Sequence, residues 1–381
     1  MRLAITGRFY GADITGVQRF AREIADRLMQ RTDAQLLLPR GVPAPPRPVG
    51  NGAVHGRLRG HVWEQLEAPA MARAARCELA LHLSGTAPVQ DGPAVIAVHD
   101  VLPITHPEWF SWRFAHWYRF VLRRAVPRAE AIITVSEWSK REIVRTLGVP
   151  ADRVHVVLQG ISPFDAAAPA AAVAAVRARW QLPERFVLTL GADDRRKNAG
   201  FVADVVASWA RRWDDPPLIV IAGGKAPRVH GRSHGQIPGA RVLGRVSDAE
   251  LHALYTAATA VCFPTRAEGF GRTPLEAAAC GTPSLVANYG SAREAIDGAA
   301  LILPLDPALW AESLHRLVHD DAARAKVIRG ARQRTSLMSW DACADQVLAV
   351  CSEAAREVLA RRRVPAGHTH SRARAPGEQA G

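Results

Sequence analysis

Short apolar runs alternate along the chain with longer segments whose apolar positions recur at helical spacing. Residues 2–6 form the first short run, and a loop that ends at Gly16 follows it. From Val17 to Leu28 the apolar residues then fall at spacings of three, four and four, which predicts a helix with one buried face. A strand, a glycine-containing loop and a helix in this order are typical of the start of a Rossmann-like half.

The same alternation continues and divides the chain into two halves. In the first half, further strands are predicted at residues 35–38, 79–83, 94–98, 131–135 and 154–158. In the second half, strands are predicted at residues 186–190, 218–222, 241–243, 260–263 and 283–287. Helices are predicted in the second half at residues 199–213, 248–257, 274–279 and 340–359. Alternating strands and helices indicate parallel sheets, so we predict an α/β chain with two doubly wound domains that face a cleft.

A proline- and alanine-rich stretch at residues 163–175 separates the two halves. We therefore predict a first Rossmann-like domain at 1–160 and a second at 161–340. The C-terminal helix is assigned to 341–360. Residues 361–381 are rich in Arg, Gly, Pro and His and are predicted to be a disordered basic tail.

Composition excludes several classes of protein. Of the 381 residues, 48% are hydrophobic and 22% are charged, which excludes disorder along the whole chain. No run of about 18 apolar residues is present, so no membrane span is expected. The N-terminus does not have the pattern of a secretory signal peptide. The five cysteines are scattered, which argues against a disulfide framework or a zinc site, and we expect a reduced, cytoplasmic protein.

The chain is strongly basic, with 49 Lys and Arg against 36 Asp and Glu and a formal net charge of +13. Only four of these basic residues are lysines, a bias that genomic composition alone can produce. A positive field attracts nucleic acid, anionic lipid or a phosphorylated ligand, and charge alone does not choose among them. Because no nucleic-acid-binding module is recognisable, we expect no nucleic acid partner, although charge keeps that class as an alternative.

The most informative stretch runs from Glu268 to Glu276, after the predicted strand at 260–263. Its glycines permit close backbone approach to a ligand, and the helix that begins near Thr273 presents free amides that bind anions. Carboxylates beside an anion site suit a ligand that carries both hydroxyls and phosphates, such as a nucleotide sugar. The alternative is that Glu268 caps the helix and that Glu276 is solvated.

Three further stretches follow predicted strands or lead into predicted helices. Arg196 and Lys197 form a cation pair after strand 186–190, where such a pair can stabilise a leaving diphosphate. His99 and Asp100 stand at the end of strand 94–98. The third stretch, Gly16-Val17-Gln18-Arg19, lies at the first strand-to-helix turn. For each there is a structural alternative: a solvated basic turn, a histidine satisfied within the fold, and an arginine that only supports its helix.

Taken together, these motifs closely resemble the signature of the retaining glycosyltransferases of family 4, enzymes of the GT-B fold. The resemblance implies that Glu268 holds hydroxyls of the donor sugar and that Glu276 holds the nucleotide ribose. It implies catalytic roles for His99, Glu268, Arg196 and Lys197. It implies further donor contacts from Gly16, Val17, Phe270, Gly271, Arg272 and Thr273. Acceptor contacts would come from Arg19 and Asp100. The resemblance thus implies that the first domain, 1–160, binds the acceptor and that the second, 161–340, binds the donor.

The resemblance also implies an activity, which is transfer of a sugar from a nucleotide diphosphate to a hydroxyl with retention, without a metal or another cofactor. The run Trp63-Glu64-Gln65 is similar to members that use GDP-mannose in polysaccharide assembly. We therefore expect mannose transfer from GDP-mannose onto a lipid-diphosphate-linked oligosaccharide of an exopolysaccharide or O-antigen. The alternatives are a soluble sugar acceptor and another donor, either UDP-glucose or an activated rhamnose.

Residues 109–124 hold seven of the 24 aromatic residues and four arginines, with Phe110, Phe114, Trp117 and Val121 at helical spacing. A basic aromatic helix of this kind can lie at an anionic membrane surface. It can equally pack its aromatic face on the core and leave the arginines in water. Both interpretations stay open, and the first would make the protein peripheral on the cytoplasmic face of the membrane.

Overall fold

A computed structural model describes residues 1–45, 52–90, 92–161, 164, 166–191, 194–223 and 237–363. Within these residues the chain forms two sheets in which all paired strands are parallel. The first sheet consists of β1 (Arg2–Thr6), β2 (Asp33–Leu38), β3 (Ala53–His55), β4 (Leu79–His82), β5 (Ala94–Ala97), β6 (Ala131–Thr134) and β7 (Val154–Val156). The second consists of β8 (Phe186–Leu190), β9 (Leu218–Ala222), β10 (Ala240–Gly244), β11 (Ala260–Phe263), β12 (Ser284–Ala287) and β13 (Leu301–Leu303).

Helices connect the strands, as parallel sheets require. Around the first sheet they are α1 (Gly16–Arg31), α2 (Gly60–Val62), α3 (Ala68–Ala74), α4 (Leu102–Thr105), α5 (Trp112–Ala125) and α6 (Glu137–Leu147). A single π-helical segment, Trp63–Glu67, joins α2 to α3. The remaining helices are α7 (Ala170–Arg179), α8 (Phe201–Ala210), α9 (Asp248–Ala257), α10 (Arg272–Ala279), α11 (Ala292–Ile296), α12 (Pro307–His319), α13 (Asp321–Thr335) and α14 (Trp340–Arg363).

The strand order of each sheet reverses beside its first strand. The first sheet has the order β3-β2-β1-β4-β5-β6-β7, and the second has the order β10-β9-β8-β11-β12-β13. In doubly wound sheets, ligands bind outside the carboxyl ends of the strands at such a reversal. The reversals place the loops after β1 and β4 in one candidate region, and those after β8 and β11 in another.

The last helix, α14, packs on the first domain although it follows the second in sequence. Trp340, Cys343, Val347 and Cys351 from α14 are buried in one apolar cluster with residues of α1 and of β1. Gly160 lies against Trp340 so closely that an added Cβ would come within 2.5 Å of it. The chain therefore crosses between the domains twice, near residue 160 and just before α14.

The α/β prediction is confirmed, and the predicted bounds of β8, β9, β11 and α9 agree with the structure. Two three-residue strands, β3 and β13, were not predicted, because runs this short carry no periodicity. The C-terminal helix was predicted to end at 360, but α14 continues to Arg363. The rest of the predicted tail, 364–381, lies outside the described residues.

All five cysteines are free thiols, four of them buried. In the part of the chain that the structure describes, no helix is both long and apolar enough to cross a membrane.

Candidate active site

The carboxyl ends of β8 and β11 bring together the charged residues that the sequence singled out in the second domain. Arg196 Nη1 donates a hydrogen bond to Glu268 Oε2 at 3.0 Å, and Lys197 Nζ donates to Glu268 Oε1. Arg196 Nη2 donates to Asp194 Oδ2, also at 3.0 Å. Lys197 Nζ lies 4.7 Å from the centre of the Phe263 ring, so an aromatic face covers its other side. Two cations and two carboxylates thus form one compact network.

This network is buried, and its electrostatics follow from that. Burial opposes the charge of Arg196, but the carboxylates of Glu268, Asp194 and Asp100 outweigh it and hold the pKa of Arg196 above its ordinary value. Asp194 is part of this network, since its side chain is buried and paired with Arg196. No local pattern indicates this burial, because two adjacent aspartates are typical of a solvated surface turn.

The segment that links Glu268 to α10 is shaped by one glycine. Gly271 has a φ of 91°, and an added Cβ would lie 1.9 Å from the Tyr289 hydroxyl oxygen. That hydroxyl donates to the Phe270 carbonyl oxygen at 3.1 Å, and Ser291 Oγ donates to the Glu268 carbonyl oxygen at 2.9 Å. Glycine is therefore required at position 271 for both conformational and steric reasons. The turn aims the first amides of α10, including that of Thr273, towards the cleft.

Glu276 is buried in the second turn of α10, so the alternative of a solvated residue is wrong. Its Oε1 accepts a hydrogen bond from Arg272, and its Oε2 accepts one from the Tyr255 hydroxyl at 3.1 Å. Burial and the Glu276 charge raise the pKa of Tyr255 well above its ordinary value, so the hydroxyl remains a donor. The Nε and Nη1 atoms of Arg272 are buried without a partner in the described part of the chain. Tyr255 was not identified from the sequence because it lies on α9, away from every motif.

His99 lies at the carboxyl end of β5 in the first domain and is buried. Gln159 Nε2 lies 3.2 Å from His99 Nδ1, and the Phe20 ring meets the imidazole edge to face at 4.8 Å. Burial, with a smaller contribution from the Arg272 charge, lowers the pKa of His99 to about 4. Its Nε2 has no hydrogen-bond partner among the described residues. The site thus presents a neutral imidazole with one nitrogen available to a ligand.

The two domains meet directly at this point. Gly269 lies against the first domain, where an added Cβ would come within 2.7 Å of the His99 carbonyl oxygen. Ser136 Oγ donates to the Gly269 carbonyl oxygen at 2.7 Å. The loop that carries Glu268 therefore faces the strand end that carries His99. Asp100 is held locally, since its Oδ1 accepts from the Leu102 amide at 3.0 Å, and burial raises its pKa.

The first turn of α1 approaches the same cleft. Gly16 has no neighbour within 4 Å of its Cβ position, and Thr15, before it, makes no side-chain cap, so this turn is open to a ligand. Val17 is partly buried beside it. Arg19, which the resemblance assigns to the acceptor, forms two hydrogen bonds with the Asp248 carboxylate, at 2.7 and 2.8 Å, at the start of α9. Arg19 thus bridges the two domains.

Among the described residues, no group of three or more His, Cys, Asp or Glu side chains is arranged to hold a metal ion. The carboxylates of Asp194, Glu268 and Glu276 are already paired with arginine or lysine. The chemistry that this arrangement can perform is recognition of a ligand that carries hydroxyls and negative charge.

Both halves of the chain match known families. Residues 14–163 match the family described as Glycosyltransferase Family 4, and residues 175–334 match Glycosyl transferases group 1. O-antigen chain mannosyltransferase B of Escherichia coli is 29% identical over 275 residues, which are 67% of this chain and 69% of that protein. A D-inositol 3-phosphate glycosyltransferase of Salinispora arenicola is 32% identical over 254 residues, which are 61% of this chain and 56% of that protein.

The fold has close counterparts among solved structures. The structure of HepE from Anabaena in complex with UDP and glucose aligns with 93% of this chain and 100% of that chain. The TM-score is 0.69 at 17% identity, which establishes a common fold. The chain has two sheets of this topology that meet across a cleft, and glycosyltransferase family models match both of its halves. These two observations together identify its family. The chain belongs to the family 4 glycosyltransferases, which have the GT-B fold.

Proposed function

We propose that this glycosyltransferase moves a sugar from a nucleotide diphosphate to a hydroxyl acceptor with retention, and that the second domain holds the donor. The observation that carries the proposal is the arrangement around α10. Glu276 is buried one turn into the helix, the first amides of α10 point to the cleft, and Glu268 is held between Arg196 and Lys197. A ligand with a ribose, a diphosphate and a sugar has the groups that these residues recognise.

The same residues account for the energetics of transfer. Cleavage of the glycosidic bond leaves positive charge on the sugar carbon and negative charge on the departing diphosphate. Arg196, Lys197 and the amides of α10 stabilise the diphosphate, and Glu268 stabilises the sugar. The departing phosphate oxygen takes the proton of the attacking hydroxyl, so the step uses no protein base and no metal. Neutral His99 offers Nε2 to a donor-sugar hydroxyl.

For the donor we propose GDP-mannose, supported by the similarity to the Escherichia coli O-antigen mannosyltransferase. For the acceptor we propose a lipid-diphosphate-linked oligosaccharide, which fits an enzyme of polysaccharide assembly. A UDP-sugar is the second candidate donor, because the structurally similar HepE was solved with UDP and glucose. Binding of GDP, UDP, GDP-mannose and UDP-glucose, compared by thermal stabilisation, separates the two.

A lipid-linked acceptor suggests a membrane contact, and α5 supplies a suitable face. Its exposed residues are Trp112, Arg113, His116, Arg119, Phe120, Arg123 and Arg124. Trp112 is 68% and Phe120 43% exposed, and no acidic residue occurs from 109 to 129. The opposite face, with Tyr118, Val121 and Leu122, is buried in the core, so a helix packed on the core can still present its outer face to lipid. We propose that its outer face binds anionic lipid.

The membrane contact is tested by sedimentation with vesicles of phosphatidylcholine, with and without phosphatidylglycerol. We expect the protein to bind only the anionic vesicles, and its affinity for them to fall at least tenfold in Arg119→Gln/Arg123→Gln. Added salt should weaken the binding of the wild-type protein. The control is Arg211→Gln/Arg293→Gln, which removes two exposed arginines elsewhere. Equal binding by both double variants would show that the α5 face is not the contact.

The transferase assignment is tested with Glu276→Ala and Lys197→Ala. We expect the rate of GDP release from GDP-mannose, or of UDP release from UDP-glucose, to fall at least a hundredfold in each variant. The circular dichroism spectrum should be the same as that of the wild type. The controls Glu312→Ala and Lys326→Ala remove exposed residues of the same types and should change nothing. Full activity in both site variants would overturn the proposal.

A further inference from the structure

A buried carboxylate in the first domain organises a second polar cluster that the donor site does not use. Glu64 is only 1% exposed and lies in the π-helical segment between α2 and α3. Arg8 Nε donates to its Oε1 at 3.1 Å, and Thr86 Oγ1 donates to the carboxylate at 3.0 Å. His61 Nδ1 lies 3.0 Å from the other oxygen, Oε2. Single π-helical turns occur frequently at functional sites.

Glu64 is ionised and fixes the orientation of its partners. Burial alone would raise its pKa, but the hydrogen bond from His61, the charge of Arg8 and the hydrogen bond from Thr86 hold the pKa at about 2. Since Nδ1 of His61 faces a carboxylate, Nδ1 carries the proton and Nε2 is the nitrogen left for a ligand. Trp117 Nε1 also lies 3.3 Å from Nδ1, but Nδ1 cannot donate to Glu64 and accept from an indole at once. The charged partner gives the stronger bond.

Two of the three partners of Glu64 reach the surface. The side chain of Arg8 is 24% exposed and that of His61 43% exposed. Arg8 uses Nε for Glu64 and Nη2 for Thr86, so Nη1 has no partner in the part of the chain that is described. The cluster therefore presents one donor, Arg8 Nη1, and one nitrogen acceptor, His61 Nε2, with the Trp117 ring 5.2 Å from the imidazole.

The cluster lies on the same sheet edge as His99. Arg8 follows β1 and Thr86 follows β4, while His99 follows β5, and β4 is paired with both β1 and β5. Two strand spacings separate β1 from β5, which is about 10 Å. A molecule whose hydroxyl reaches the donor sugar near His99 would extend over Arg8 and His61.

We propose that Arg8 and His61 form an acceptor subsite for a neutral sugar, and that Glu64 is the positioning residue that holds them. The inference rests on the proposed function. A neutral ligand is favoured because Glu64 already balances the charge of Arg8. A donor and an acceptor held by one rigid group suit adjacent hydroxyls, and an aromatic ring beside them suits the apolar face of a pyranose.

The probes are the methyl α-glycosides of mannose, glucose, galactose and rhamnose, with binding measured by saturation-transfer NMR in the presence of GDP or UDP. We expect at least one glycoside to bind the wild-type protein, and its affinity to fall at least tenfold in Arg8→Gln and in His61→Gln. The dissociation constant of the nucleotide should stay within twofold. The control is Arg73→Gln, which changes an exposed arginine on α3.

Two further measurements separate positioning from simple destabilisation. Arg8→Gln/Glu64→Gln keeps the cluster neutral, so loss of glycoside binding in this folded variant cannot come from a buried unpaired charge. In Glu64→Gln, the ¹⁵N shifts of His61 should show a smaller share of the Nδ1–H tautomer. If no glycoside binds the wild-type protein, or if these variants bind it equally well, the subsite is overturned. If glycosides bind and neither nucleotide does, the proposed donor function fails instead.

Discussion

The second-domain side of the cleft holds ionised groups in pairs, whereas the first-domain side next to it presents a neutral imidazole. Arg196 and Lys197 are neutralised by Glu268 and Asp194 in the absence of a ligand. His99 is kept uncharged by burial, and its Nε2 is left without a partner among the described residues. A charged diphosphate can replace the carboxylates as the partner of Arg196 and Lys197, whereas His99 can offer only a neutral hydrogen bond. We therefore expect the second-domain side to handle the charge of the ligand and His99 to contribute only a neutral contact.

The largest effect is expected from Arg196→Met, which removes the cation at the centre of the paired side. Asp194 and Glu268 would lose their shared partner while remaining buried. Breaking a buried ion pair by removing one member costs about 3–5 kcal/mol of folding free energy. Urea unfolding of the variant and of the wild type measures this loss. Arg211→Met, at an exposed position, is the control, and an equal change in both would mean that the network adds no stability.

The sequence identified most of the charged residues of the paired side because they stand in motifs at the ends of strongly apolar strands. It could not identify Asp194 or Tyr255, whose roles depend on tertiary neighbours rather than on local pattern. Tyr255 lies on a helix with an ordinary capping box, and only folding brings its hydroxyl to Glu276. Gln159 is another such residue, because only folding brings its amide to His99.

The fold was predictable for a similar reason. Buried strands such as β8 and β11 are continuous apolar runs, which a parallel sheet requires. The packing of α14 on the first domain was not predictable, because periodicity gives the buried face of a helix and not the surface that covers it. Arg19 shows the same limit, since its helix was predicted and its partner in the other domain, Asp248, was not.

A second test concerns the neutral side, through the pH dependence of stability. The unfolded chain binds a proton on His99 near pH 6.5, whereas the folded chain binds it only near pH 4. The contribution of His99 to the free energy of unfolding is therefore fully present above pH 6.5, and it is lost as the pH falls from 6.5 towards 4. Between pH 7.5 and pH 5 the loss should be about 2 kcal/mol.

Urea unfolding of wild type and His99→Gln at these two pH values measures that contribution. The pH-dependent loss should be smaller by this amount in the variant, whatever its stability at pH 7.5. His116→Gln, at an exposed histidine of α5, is the control. The same pH dependence in His99→Gln as in the wild type would mean that the imidazole is not held neutral, and the contrast between the two sides would disappear.

The smallest effect is expected where the two sides touch through exposed charges. Arg19 bonds to Asp248, which is 47% exposed, and Arg245 bonds to Asp13, which is 78% exposed. Exposed pairs contribute about 0.2–1 kcal/mol and are screened by salt. A double-mutant cycle with Arg19→Ala and Asp248→Ala, measured by urea unfolding, should therefore give a coupling energy in that range. The coupling energy should fall when the salt concentration is raised from about 0.05 M to about 0.5 M, because the Debye length shortens. A larger coupling that salt does not weaken would mean that Arg19 acts as part of the buried network, and that the charged side of the cleft extends into the first domain.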